Sequence, residues 1–141
     1  MLNYFLSNAN YPAIVVSGLV YWLLGALWFS VLFGKIWGAE LEKHGVKIKQ
    51  PTSREMMLKF VQTFLLNVVV ALGVELIVIM GNIGSVVSAL KIGLFLGICL
   101  SAATFGIAHT WEGRSLKLFA IDCGYPVLGI TACNMILTLW R

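Results

Sequence analysis

Four runs of this chain are each long and apolar enough to cross a bilayer. They extend from about Pro12 to Phe33, Met56 to Met80, Val86 to Ala108 and Leu116 to Trp140. A membrane-crossing helix needs roughly 20 mainly apolar residues. In hydrocarbon only a helix or a closed barrel satisfies its own backbone, and four such runs are too few and too long for a barrel. The expected fold class is therefore all-α: a polytopic membrane protein with four transmembrane helices in one bundle, occupying residues 1–141 as a single domain. Composition agrees, with 60% hydrophobic and 11% charged residues, against roughly 45–50% and about 25% in soluble domains. A soluble core of 141 residues cannot enclose that much apolar surface. Pro12 suits a first helical turn, where its missing N–H is not needed. The opening MLNYFLSNANYP carries no Lys or Arg and no small-residue cleavage signal, so the first run reads as a span and not as a removed leader.

Basic residues predict the orientation. Lys35, Lys43, Lys47, Lys49, Arg54 and Lys59 lie in or beside the loop after helix 1, and Arg114 and Lys117 flank the turn after helix 3. Only Lys91 and Arg141 fall on the other side. The positive-inside rule then puts both termini outside and both charged connections in the cytoplasm. Tyr11, Trp37, Trp111 and Trp140 stand near predicted helix ends, as interfacial aromatics do. Within the first loop, KIWGAELEKHG reads as a short interfacial helix stopped by Gly45. VKIKQP reads as extended chain, and Thr52 with Glu55 forms a capping box for helix 2. The loop is a solvated, topology-setting connector or a basic patch for anionic lipid headgroups or a partner protein. The net charge of +4 reflects topology; no basic face interleaved with aromatics invites nucleic acid.

Helix 3 repeats small residues every fourth position: Ser85, Ala89, Gly93, Gly97 and Ser101. Such a stripe lets two helix backbones approach closely, and the partner is another helix of this chain or a second copy. Glu75 and Lys91 flank the Gly81–Gly84 turn, each roughly 9–10 Å from it at 1.5 Å per residue. They are expected to form an ion pair locking helix 2 to helix 3, or else a polar site along a path. Asp122 lies six residues into helix 4, near the opposite membrane face, where His109, Lys35, Arg114, Ser30 or Thr104 would meet it. Pro126 should kink that helix or free a carbonyl near Asp122. Asn67 and Asn134, near mid-span, favour interior polar contacts.

GALWFSVLFGKIW (Gly25–Trp37) and WEGRSLKLFAIDCGY (Trp111–Tyr125), followed by an apolar run ending in LTLW, resemble a small bacterial membrane family described only as domain of unknown function 1761. The resemblance covers nearly the whole chain. It departs from the family pattern at Phe29, where Tyr is expected, at Asp122, where Asn is usual, and at Pro126, where a bulkier residue or His is common. It implies four spans and the bacterial inner membrane, and no established activity. It marks Trp28, Ser30, Gly34, Lys35 and Trp37 at one helix end and His109, Glu112, Gly113, Arg114 and Lys117 at another, both on the cytoplasmic side. There Glu112 would pair with Arg114 or Lys35, and Arg114, Lys117 and Lys35 would offer an anion or headgroup site.

Enzyme signatures are thin. Cys99, Cys123 and Cys133 lie in apolar spans without CxxC spacing and imply packing and no disulfide. His44 and His109 lack zinc-motif spacing, and no cofactor or metal is implied. Two function classes remain. One is a small homo-oligomeric transporter or channel-like protein lined by Asn67, Glu75, Thr104, Asp122 and Asn134. The other is a non-transporting membrane module that binds lipid or a partner protein at its cytoplasmic face.

Overall fold

The computed structural model describes residues 2–47 and 51–141. A short helix α1 (Leu2–Asn8) precedes α2 (Tyr11–Leu27), which runs on through a π turn, Trp28–Leu32. After α3 (Gly34–Lys43) comes α4 (Ser53–Met80). Helix α5 (Val86–Leu96) continues through a second π turn, Gly97–Ala102, into α6 (Ala103–Trp111), and α7 (Leu116–Leu139) follows. Four continuous helical stretches, Tyr11–Leu32, Ser53–Met80, Val86–Trp111 and Leu116–Leu139, are long and apolar enough to span a membrane. The all-α four-span fold expected from the sequence is the one observed. Of the segment read as extended, residues 48–50, with Lys49 among them, lie outside the described residues.

Local chemistry sets the helix ends. The Asn10 side chain accepts the Ala13 N–H at the start of α2, and Pro12 sits in the first turn. Thr52 and Glu55 form the expected capping box on α4, and Ser115 caps α7 by accepting the Leu118 N–H. Chain reversals use left-handed backbone at Gly45 (φ 77°) after α3 and at Gly113 (φ 63°) before α7, conformations that cost glycine little.

Helix α7 is the most enclosed span and touches α2, α4 and α5. Tyr21, Ala71, Val74, Val78, Ala89, Ile130, Cys133 and Leu137 fill the interior between them. Outward-facing Leu65, Leu66, Val69, Phe95 and Ile98 form an apolar surface of the kind lipid covers. The small-residue stripe finds its partner within the chain. A Cβ on Gly93 would lie 2.7 Å from Thr131 Cα, and one on Gly97 would lie 2.7 Å from Val127 Cα. Ala89, Gly93 and Gly97 are thus the seam against α7. The outer members of the stripe behave differently. Ser85 is exposed and caps α5 by accepting the Ser88 N–H, and Ser101 falls inside the π turn, where the four-residue register is lost.

Pairings along α2 fix relative depths. Gly18 packs on Val68, the Trp22 indole donates to Thr63, and the Asn10 N–H donates to Glu75. Glu75 is therefore level with the start of the first span, and the last turn of α4 runs past it.

Candidate functional site

Two ends of the bundle carry polar networks. We call them the loop face, which holds α3 and the α6–α7 turn, and the terminal face, which holds α1 and the end of α7.

At the loop face the two sequence motifs meet. Asp122, in the second turn of α7, accepts the Trp37 indole N–H on Oδ1 at 2.8 Å. Its Oδ2 lies 3.2 Å from His109 Nε2 and 3.9 Å from Arg114 Nη1. Arg114 also pairs with Glu112 through its Nε. Four elements thus converge on one largely enclosed carboxylate: α3, α6, the α6–α7 turn and α7. His109 is buried, with its Nδ1 unpaired among the described residues. Of the five neighbours anticipated for Asp122, His109 and Arg114 are present. Lys35 and Ser30 are exposed elsewhere, Ser30 bonding back to the Ala26 carbonyl, while Thr104 bonds to the Leu100 carbonyl at 2.5 Å.

Aromatic rings extend this junction toward mid-membrane. The Trp28 indole donates to the Ile121 carbonyl at 2.9 Å, and its ring covers Gly124. The Tyr125 ring covers Gly25 and also faces Tyr21 and Phe29. Phe29 in turn packs edge-on to Trp37 at 5.3 Å. Asn67 donates to the Tyr125 hydroxyl at 3.1 Å, the interior contact foreseen for it. Gly25 and Gly124 leave room for these rings; a side chain at either would strike one at 2.8 Å. Pro126 lies buried inside an α7 that stays helical on both sides of it. The carbonyl taken by a side chain near Asp122 is that of Ile121.

A second polar link docks α3 onto the turn. The Ser115 hydroxyl donates to Glu40 Oε2 at 2.8 Å, and the Ser115 N–H donates to His44 Nε2 at 3.2 Å. Lys43 Nζ meets Glu40 Oε1 at 2.9 Å. Hydrogen bonds from Lys43 and Ser115, with the fields of Lys43 and Lys117, hold the Glu40 carboxyl below its ordinary range. Sequence reasoning treated α3 as an interfacial helix and missed this dock. The signal was present: Trp37, Glu40, Leu41 and His44 recur at the three- and four-residue spacing that gives one helix face.

At the terminal face the expected Glu75–Lys91 pair is not formed. Glu75 is fully buried; its Oε1 accepts the Asn10 N–H at 3.1 Å and lies 3.9 Å from Arg141. The Asn10 side chain donates to the Trp140 carbonyl at 3.0 Å. Glu75 therefore ties the starts and ends of three helices. Lys91 is exposed because α5 packs through Ala89 and Gly93, and the residue midway between them turns about 200° from either. Asn134 is fully buried beside Gly93, its side chain unpaired within the described residues.

The loop-face cluster is a fixed frame. Both Asp122 oxygens are engaged, Oδ1 by the Trp37 indole and Oδ2 beside the His109 ring and the Arg114 guanidinium. Lys35, Lys43 and Lys117 are exposed on the same face of the bundle. Neither the curated proteins nor the solved structures yield a match to this chain. A family model matches residues 12–138 and so takes in both motifs and all four spans. The chain belongs to the family described as protein of unknown function DUF1761.

Proposed function

We propose that this protein is a non-transporting membrane module whose loop face, cytoplasmic by the distribution of Lys and Arg, binds anionic lipid headgroups. One observation carries the reading: two remote motifs close on Asp122 and lock α3 against the α6–α7 turn, and the same face of the bundle bears exposed Lys35 and Lys117 and the partly exposed Arg114. Basic side chains near an anionic surface contribute about 1 kcal/mol each, and a frame that fixes them in advance saves ordering cost on binding. The transporter reading finds less support. Tyr21, Val74, Val78, Ile130 and Leu137 fill the centre of the bundle, and Asn67 is tied to Tyr125.

The test is reconstitution in vesicles with and without an anionic phospholipid. Anionic lipid should raise the thermal stability of the protein, as any ligand of the folded state does. A Lys35→Gln, Arg114→Gln, Lys117→Gln triple variant should lose that increment, and neither protein should pass ions or small solutes under a gradient. Solute flux, or equal stability in both lipids, would overturn the reading.

A further inference from the structure

Gln62 is the polar side chain of α4 that the bundle leaves outside. It is exposed. Its direction follows from helical geometry. Ala71, nine residues on, is fully buried in the interior, and nine residues make two and a half turns at 3.6 per turn. Gln62 therefore points directly away from the bundle. The side-chain hydrogen bonds of α4 belong to Glu55, Thr63, Asn67 and Glu75. Among the described residues the Gln62 amide has no partner for its oxygen or its nitrogen.

Its depth is set by its neighbour. Thr63 accepts the Trp22 indole N–H at 3.1 Å. Trp22 is eleven residues from Tyr11 and ten from Leu32, the two ends of the first span, or about 15–17 Å along the helix from either. Gln62 is therefore level with the middle of that span, in a hydrocarbon layer roughly 30 Å thick. Neither headgroups nor water are within reach of a side chain so short at that depth. An amide left unpaired in hydrocarbon is costly.

Depth and chemistry name what covers it. Acyl chains offer no hydrogen bond, so a polar group on another membrane helix is what satisfies this amide. A second copy of the chain, inserted in the same orientation, brings such a group to the same depth: its own Gln62. The amide is self-complementary, since each carbonyl accepts from the other's NH₂, and in a two-fold assembly the same patch meets itself. The surface around Gln62 suits a helix seam. Leu66 and Val69, both exposed, follow it at steps of four and three residues. That is the spacing of a two-helix seam, where a single polar residue specifies register and oligomeric state. No residue of the Asp122 cluster takes part. From this we infer that the outward stripe of α4 is a homodimer interface, in which two copies pair their Gln62 amides at mid-membrane and pack Leu66 and Val69 against one another.

Energy transfer between full chains labelled at the amino terminus with donor or acceptor fluorophores tests this, in phosphatidylcholine vesicles over a range of protein-to-lipid ratios. Wild type should exceed the transfer of randomly placed protein and saturate as a dimer. Gln62→Leu should raise the dissociation constant about tenfold, which lies within the worth of an interhelical hydrogen bond in a membrane. Gln62→Asn keeps the amide and should keep most of the association. Val69→Trp should hold the two stripes apart, whereas Phe95→Trp on the outer face of α5 should change nothing. All three positions are exposed, so no variant repacks the core, and circular dichroism checks that each one folds. The Lys35→Gln, Arg114→Gln, Lys117→Gln variant should associate as wild type does, which separates this interface from the headgroup face. Transfer at the random level in wild type, or an unchanged dissociation constant in Gln62→Leu, would overturn the proposal.

Discussion

The tightest seam in the bundle gives the sharpest prediction. Methyl groups placed on Gly93 and Gly97 would lie 2.7 Å from Thr131 Cα and from Val127 Cα, against ordinary contact that begins at 3.4 Å. The obstacles are main-chain atoms, so no rotamer change relieves them; α5 and α7 must move apart by several tenths of an ångström. Overpacking of this kind costs about 1–3 kcal/mol per site. The sites are one turn apart on one seam, so a single separation relieves both, and the double variant should cost less than the two single costs added. Gly73 supplies the control. Nothing lies within 4 Å of a Cβ built there, and alanine in an open helix interior should be neutral or stabilising by about 0.5–1 kcal/mol. The assay is reversible unfolding of the purified protein in mixed detergent micelles, followed by circular dichroism. If Gly93→Ala and Gly97→Ala unfold together with Gly73→Ala, the close α5–α7 approach is refuted.

Two further outcomes follow from the polar networks. Glu75→Ala should destabilise the protein by about 1–3 kcal/mol, the cost of leaving the Asn10 N–H without its acceptor. Lys91→Gln should leave stability within about 0.5 kcal/mol, as at a surface position away from special features; a comparable loss from both would restore a Glu75–Lys91 link. Glu40, whose carboxyl titrates below its ordinary range in the folded state, stabilises the docked α3 above the unfolded-state pKa. That contribution is lost as pH falls through the lowered folded-state value. Acidification below the usual carboxylate range should expose α3 to protease, and Glu40→Gln should remove the pH dependence without abolishing the fold.

Most of the architecture was legible because lipid permits so few alternatives. Length and polarity alone marked the four spans, and Thr52 with Glu55, Gly45 and Gly113 marked helix ends through local chemistry. Relations across the bundle were less legible. The stripe at Ala89, Gly93 and Gly97 announced a close partner without saying which, since α7 and a second copy present equally apolar surfaces to a sequence reader. Glu75 and Lys91 were paired because equal distance from a turn fixes depth. Pairing also needs facing, and the packed positions of α5 turn Lys91 away. Asp122 was recognised as unusual, and His109 and Arg114 were among its expected neighbours. Its strongest contact came from Trp37, which the membrane-interface habit of tryptophan had already explained away. The π turns within the first and third spans were not readable, since no residue there breaks the apolar pattern.

The account rests on the meeting of the two motifs at Asp122, and a double-mutant cycle between Trp37→Phe and Asp122→Asn measures it directly. A hydrogen bond to a charged group contributes about 1.5–3 kcal/mol, and a part-buried indole–carboxylate contact at 2.8 Å should show coupling in that range by unfolding in micelles. Costs that simply add, to within about 0.3–0.5 kcal/mol, would mean that α3 and α7 are not joined through this contact and that the loop face is not the fixed frame described.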